Sequence, residues 1–128
     1  MTTIEKQIIY WQSTAESDFE TAEILINNQK YVQGLFFCHL CIEKMLKAHV
    51  VKATGEIPPK SHDLPYLSKK SSLDLSEDNL NFLQILMVYQ LEGRYPEYCP
   101  KSPSQEKIKE YLCKTKDLIV CLAKMLLA

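Results

Sequence analysis

Apolar residues recur along the chain at three- and four-residue steps, and nowhere do they alternate in the two-residue rhythm of a half-buried strand. From Thr3 to Asn28, Ile4, Ile8, Trp11, Ala15, Ala22 and Leu25 or Ile26 share one face, with Glu and Lys between them, which predicts an amphipathic first helix. Asn27-Asn28-Gln29-Lys30 then tolerates turn and left-handed geometry and closes it. The stretch from Tyr31 to Ala53 differs. Leu35, Phe36, Phe37, Cys38, Leu40, Cys41, Ile42, Met45, Leu46, Val50 and Val51 point nearly all round a helix, so this second helix is expected to be buried among the others. Gly55 is its natural C-terminal cap. Pro58 and Pro59 exclude helix, and Asp63 caps a short helix from Leu64 with Pro65 in its first turn. Lys69, Lys70 and the serines that follow read as a solvated connector. Ser76 with Glu77 and Asp78 opens a third long helix, which the apolar pattern carries to near Gly93. Ser102-Pro103-Ser104-Gln105 reads as a capping box with proline at the first helical position, starting a last helix that runs nearly to Ala128. The expected fold is all-α: one domain over residues 1–128, an antiparallel up-and-down bundle of four long helices plus a short fifth.

Two exceptions to this pattern carry the chemistry. Within the buried second helix, His39, Glu43 and Lys47 follow at i, i+4 and i+8 and stack along one side, with Lys44 beside them. An unpaired charge is costly to bury, so such a row is either internally paired, Glu43 with Lys47 and His39 capping them, or is used. On the first helix Asp18 falls in the inward stripe, where it lies either at the bundle rim or against a buried cation. Between the third and last helices, Glu92 to Pro100 is dense in Arg, Tyr and acidic groups, and prolines 96, 100 and 103 stiffen it. Loops held on rigid scaffolds concentrate function. His62 by itself reads as an exposed loop histidine.

Composition narrows the classes. The 128 residues suit one domain burying about two-thirds of its unfolded surface. A hydrophobic fraction of 46% and a charged fraction of 24% are ordinary for a globular chain, and a net charge of -1 provides no global field toward nucleic acid or membrane. A partner of that kind has to be met by a local patch. The lysines of the last helix are balanced by Glu106, Glu110 and Asp117 and read as a solvated face. The N-terminus lacks an apolar signal core, and no apolar run reaches membrane-spanning length. Five cysteines, including a mid-helix Cys38-x-x-Cys41 without a second ligand pair, read as small buried thiols of a reducing cytoplasm rather than a zinc site. There is no Gly-rich phosphate loop, H-E-x-x-H, Glu-x-x-His or serine nucleophile motif, and no metal or cofactor is expected.

The residues in combination say more. Trp11, Ala15, Asp18 and Ala22 on the first helix are followed by Phe36-Phe37-Cys38-His39, Glu43-Lys44 and Lys47-Ala48 on the second. Ser61-His62-Asp63-Leu64 and Gly93-Arg94-Tyr95-Pro96 come next. This order resembles the HEPN (higher eukaryotes and prokaryotes nucleotide-binding) family over essentially the whole chain. The resemblance implies a helical bundle that dimerises with its polar site near the two-fold axis. It also implies, for many relatives, a small nucleotidyltransferase partner in a toxin–antitoxin pair. Other members are metal-independent ribonucleases in which an Arg is followed, after four to six residues, by His. Here Arg94 matches in kind, but Cys99, Pro100 and Lys101 stand where the His would be. Without an imidazole there, the acid–base contribution of about 10² to 10⁴ in rate is missing.

Three readings follow. In the first, a non-catalytic, homodimeric binding module takes a nucleotide or RNA phosphate: Arg94 clamps it, Lys47 assists, Tyr95 stacks on a base, and Asp18 or Glu43 orients the cations beside His39. The second is a ribonuclease with a displaced general base. The third is a purely structural bundle whose polar cluster fixes register. The missing His beside Arg94 favours binding over cutting.

Overall fold

A computed structural model describes all residues, 1–128, and is helical throughout: α1 (Thr3–Asn27), α2 (Tyr31–Thr54), α3 (Leu64–Lys70), α4 (Glu77–Met87) and α5 (Gln105–Leu126), with a 3-10 turn at Pro96–Tyr98. The expected all-α bundle is present. Its axis is α2, which packs against each of the other four helices. More than half of α2 is buried, whereas α1 buries only Ala15, Ala22 and Ile26 completely. This matches the sequence pattern: an all-round apolar helix is enclosed and a striped one lies on the outside. Leu35, Cys38, Ile42, Met45 and Leu46 of α2 meet Leu64 and Leu67 of α3, Phe82, Leu83 and Leu86 of α4, and Ile108, Leu118 and Leu122 of α5 in one core.

Local signals set the ends of the helices. Thr2 and Glu5 form a reciprocal capping box on α1, Asp63 accepts from the Tyr66 N–H to start α3, and Ser76 accepts from Asn79 to start α4. Gly55 ends α2 in the left-handed conformation, φ 69°. At this same end of α2 Lys52 donates to the carbonyls of Met125, Leu126 and Ala128, and the His49 Nε2–H donates to the Leu122 carbonyl at 2.8 Å, tying α2 to the end of α5. No helix is long and apolar enough to cross a membrane.

Four expectations are corrected. The apolar pattern carries α4 to Gly93, but the helix stops at Met87. Tyr89 and Gln90 bond back three residues instead of four, and the Val88 carbonyl accepts from Arg94, so a tighter turn with outside donors replaces the helical ladder. Lys69 and Lys70 are the last turn of α3, not a loop, and Ser68 and Ser71 are buried beside them. The cap of α5 is Ser104, which accepts from the Lys107 N–H, because Ser104 is still extended (ψ 157°); the box centred on Ser102 does not form. Cys38 and Cys41 are buried thiols as expected, with burial pushing Cys38 up to about 12, but Cys99 and Cys113 are exposed.

Gly34 lets the start of α2 approach the end of α1. A Cβ there would collide with the Ile26 side chain and press on the Ala22 carbonyl at 3.3 Å. Alanine is worth about 1 kcal/mol more than glycine within a helix, and overpacking costs about 1–3 kcal/mol. Gly34→Ala should therefore lower stability by up to about 2 kcal/mol in urea denaturation despite its better helix propensity; a rise would show that the two helices separate freely at this point.

Candidate functional site

The helical period brings His39, Glu43 and Lys47 onto one side of α2, and packing places that side inward, with residue exposures of 0%, 3% and 6%. Glu43 is the hub. Lys47 Nζ donates to its Oε2 at 3.1 Å, so the internal pair is formed. The Lys47 ammonium also lies 5.3 Å from the centre of the Trp11 ring, a cation–π contact reaching across to α1. His39 Nε2 stands 3.3 Å from Glu43 Oε1, poorly aligned for a hydrogen bond. Its other nitrogen, Nδ1, lies 3.2 Å from the Leu86 carbonyl, which can only accept, so Nδ1 carries a proton and fixes the ring against the last turn of α4.

The fourth member comes from outside the row. His62 Nδ1 lies 2.8 Å from Glu43 Oε1, and its Nε2 lies 3.3 Å from Glu92 Oε2. His62 is thus not a free loop histidine: it connects the buried carboxylate to the surface. The Pro58-Pro59 stiffening and the Asp63 cap of α3 hold the segment that presents it. Each of its two ring nitrogens thus faces a carboxylate, one buried and one exposed. Burial is the largest single influence on the Glu43 carboxyl and acts to raise it. The close His39 and His62 nitrogens and the Lys47 charge together outweigh burial and hold it down at about 2.

Beyond His62 opens a cleft of about 570 Å³ between the segment before α3 and the chain leaving α4, bordered by Lys60, His62, Asp63, Gln90, Glu92 and Arg94. Arg94 spends one nitrogen on structure: Nη1 donates to the Val88 carbonyl at 2.9 Å and to the Tyr98 carbonyl at 3.3 Å, binding the end of α4 to the 3-10 turn. The rest of its planar fork remains for the cleft. Asp63 Oδ1 is occupied by the Tyr66 N–H.

The six residues singled out from sequence therefore divide. Arg94 lines the cleft. Glu43 stands behind it through His62, with Lys47 on the other carboxylate oxygen and His39 beside the oxygen that faces His62. Tyr95 is 70% exposed and does not border the cleft. Asp18 pairs with Lys44 at 2.6 Å, holding α1 to α2, and does not meet Arg94 or Lys47. His62, Lys60, Gln90 and Glu92 were missed as a group. The available signal was His62-Asp63 immediately before a capped helix, but nothing in a linear reading pairs position 62 with positions 43 and 92. No cluster of His, Cys, Asp and Glu side chains has an arrangement able to hold a metal ion. What the site offers is two rim cations, Lys60 and Arg94, set beside the carboxylates of Asp63 and Glu92, and one imidazole joining the rim to the interior.

The HEPN domain model matches residues 8–125, and the chain belongs to this family of nucleotide- or RNA-associated modules. No curated protein and no solved structure matches the chain.

The Glu43 network sets an acid limit. Its carboxyl is near 2 in the fold against an ordinary 4.5, so its contribution is complete above pH 4.5 and is lost as pH falls toward 2. The stability difference between wild type and Glu43→Gln should accordingly be constant above about pH 5 and shrink below it, as read by urea denaturation at stepped pH. Glu43→Ala, which strands Lys47, should cost about 3–5 kcal/mol. A pH-independent difference for Glu43→Gln would mean that the carboxylate charge is not what the site holds.

Proposed function

We propose that the cleft beside His62 binds a phosphate group of a nucleotide or RNA, and that the chain is a non-catalytic HEPN module acting as a homodimer with a small nucleotidyltransferase partner in a toxin–antitoxin-like pair. One observation carries the phosphate reading: Arg94 and His62, brought from separate connectors, border one open cleft, and His62 is backed by a buried carboxylate. Arg94 presents its remaining N–H groups to phosphate oxygens, and Lys60 adds a mobile charge. Glu43, braced by Lys47 and His39, orients His62. Tyr95, exposed next to Arg94 but outside the cleft, is free to stack on a base that extends beyond it. The Asp18–Lys44 pair holds the α1–α2 frame. The dimer and the nucleotidyltransferase rest on family resemblance, and the neighbouring open reading frame is their direct check.

Isothermal titration with AMP, GMP and a short RNA tests the phosphate reading. Lys60→Ala, at an exposed position without structural bonds, and Arg94→Lys, which keeps the charge but loses the fork, should each weaken binding by about tenfold, near the value of one charged hydrogen bond. Binding should also fall as salt rises. Equal affinities in wild type and both variants would remove the cleft from consideration.

A second reading has its own support. The sequence lacks a His at the ribonuclease spacing from Arg94, yet His62 borders the same cleft with a carboxylate on its Nδ1 side, the arrangement of an oriented general base. If the protein cuts RNA, cleavage of a defined transcript should disappear in both His62→Ala and Arg94→Ala and persist in chelator. Cleavage surviving either substitution would identify a contaminant, and an intact transcript with wild type would leave binding alone.

A further inference from the structure

Glu92 already occupies the place that an anion would take on His62. Its Oε2 lies 3.3 Å from His62 Nε2, the only ring nitrogen not engaged with Glu43. The contact is built rather than incidental. Gln90 accepts from the Glu92 N–H at 2.6 Å and donates to the Glu92 carbonyl at 3.4 Å, so a side chain two residues earlier sets the backbone from which Glu92 reaches. Behind the imidazole, Glu43 holds the ring in place at 2.8 Å. Release is easy all the same. The Glu92 side chain is 63% exposed, and Gly93 beside it has φ 75° with no atom near where a Cβ would lie.

We propose that Glu92 is an internal competitor that fills the anion position of the cleft and lowers the affinity for every phosphate ligand by one common factor; this rests on the phosphate reading of the cleft. To reach His62 a ligand has to displace a carboxylate of charge −1 that is held at high effective concentration by its own backbone. That displacement costs the same whichever anion follows, so it weakens a phosphodiester of charge −1 and a phosphomonoester alike. A phosphomonoester carries about −1.5 to −2 near pH 7 and three acceptor oxygens. It gains an additional attraction to Arg94 and Lys60, and its three oxygens match the three donors on the rim: His62 Nε2, the free edge of Arg94 and Lys60. The groups facing His62 are Glu43 from α2, Glu92 and Arg94 from the chain after α4, and its neighbours Lys60 and Asp63. With Asp63 used as a helix cap, Glu92 is the one acid on the rim free to move.

The test compares one decaribonucleotide in 5′-phosphorylated and 5′-hydroxyl forms, by fluorescence anisotropy against wild type, Glu92→Gln and Gln90→Ala. Wild type should favour the phosphorylated form by about tenfold or more. Glu92→Gln removes the competing charge, so both forms should bind about two- to fivefold more tightly than to wild type, with the preference for the phosphorylated form kept. Gln90→Ala, which frees the backbone beneath Glu92, should move both values in the same direction by less. Unchanged or weaker affinity for both forms in Glu92→Gln overturns the competitor while leaving the cleft as a phosphate site. Absence of binding by all three proteins overturns both.

Discussion

A carboxylate enclosed in a helical core has to be answered by donors, and the protein answers Glu43 with nitrogen groups from two places. Lys47 and His39 come from its own helix at the i±4 positions, the cheapest source in sequence. His62 comes from a connector nineteen residues away, and that third donor changes the character of the network. A Glu–Lys pair on one helix would be self-contained. The His62 contact makes the loop before α3 part of the core's electrostatic balance and gives the interior an outlet to the surface. A loop histidine at 41% side-chain exposure would otherwise sample many orientations; bonded to a carboxylate that is itself held by Lys47, it has one.

Arg94 does the corresponding work on the opposite wall. Its Nη1 closes the turn that follows α4 by satisfying the Val88 and Tyr98 carbonyls, so the residue that offers charge to the cleft also shapes that wall. The two walls therefore differ in origin. One is anchored by buried charge, the other by a side chain bonding the backbone of its own loop. This also explains why Arg94→Lys is more informative than truncation: removing the guanidinium altogether frees two carbonyls and loosens the wall along with the site.

Much of this was legible in the sequence, for reasons that separate by range. The α2 row follows from helical periodicity alone, because i and i+4 neighbours meet wherever a helix forms. Gly55, Asp63 and Ser76 act on backbone groups within three or four residues, so their roles as caps could be read locally. The end of α4 could not. Its apolar pattern continues through Tyr89 and Leu91, and Tyr89 is buried near Tyr111 of α5, so the residues stay apolar for the core after the helix has ended. What ends it is a bond from Arg94, six residues on, that periodicity does not register. His62 was illegible for the same reason at longer range: its importance lies in two acidic partners, at positions 43 and 92, that only the fold brings to it. Asp18 shows the reverse case. The anomaly on the α1 stripe was real, but the cation that answers it is Lys44, facing α1, and not the row one helical step away.

The division between a fixed interior and a displaceable rim bears on what such a cleft can recognise. Counting only permanent charges, Lys47, Lys60 and Arg94 stand against Glu43, Asp63 and Glu92, so the region is balanced, and a net chain charge of -1 adds no field of its own. Attraction to an anion therefore depends on rearranging charges already present. The interior ones cannot move, because withdrawing Glu43 would strand a buried lysine at a cost comparable to much of a small domain's stability. Asp63 is held by the start of α3. Glu92 is tethered only by a turn, beside a glycine, in solvent. Any anion that binds His62 has to do so by moving Glu92, and affinity at this site is then a difference between two anions, one of which belongs to the protein.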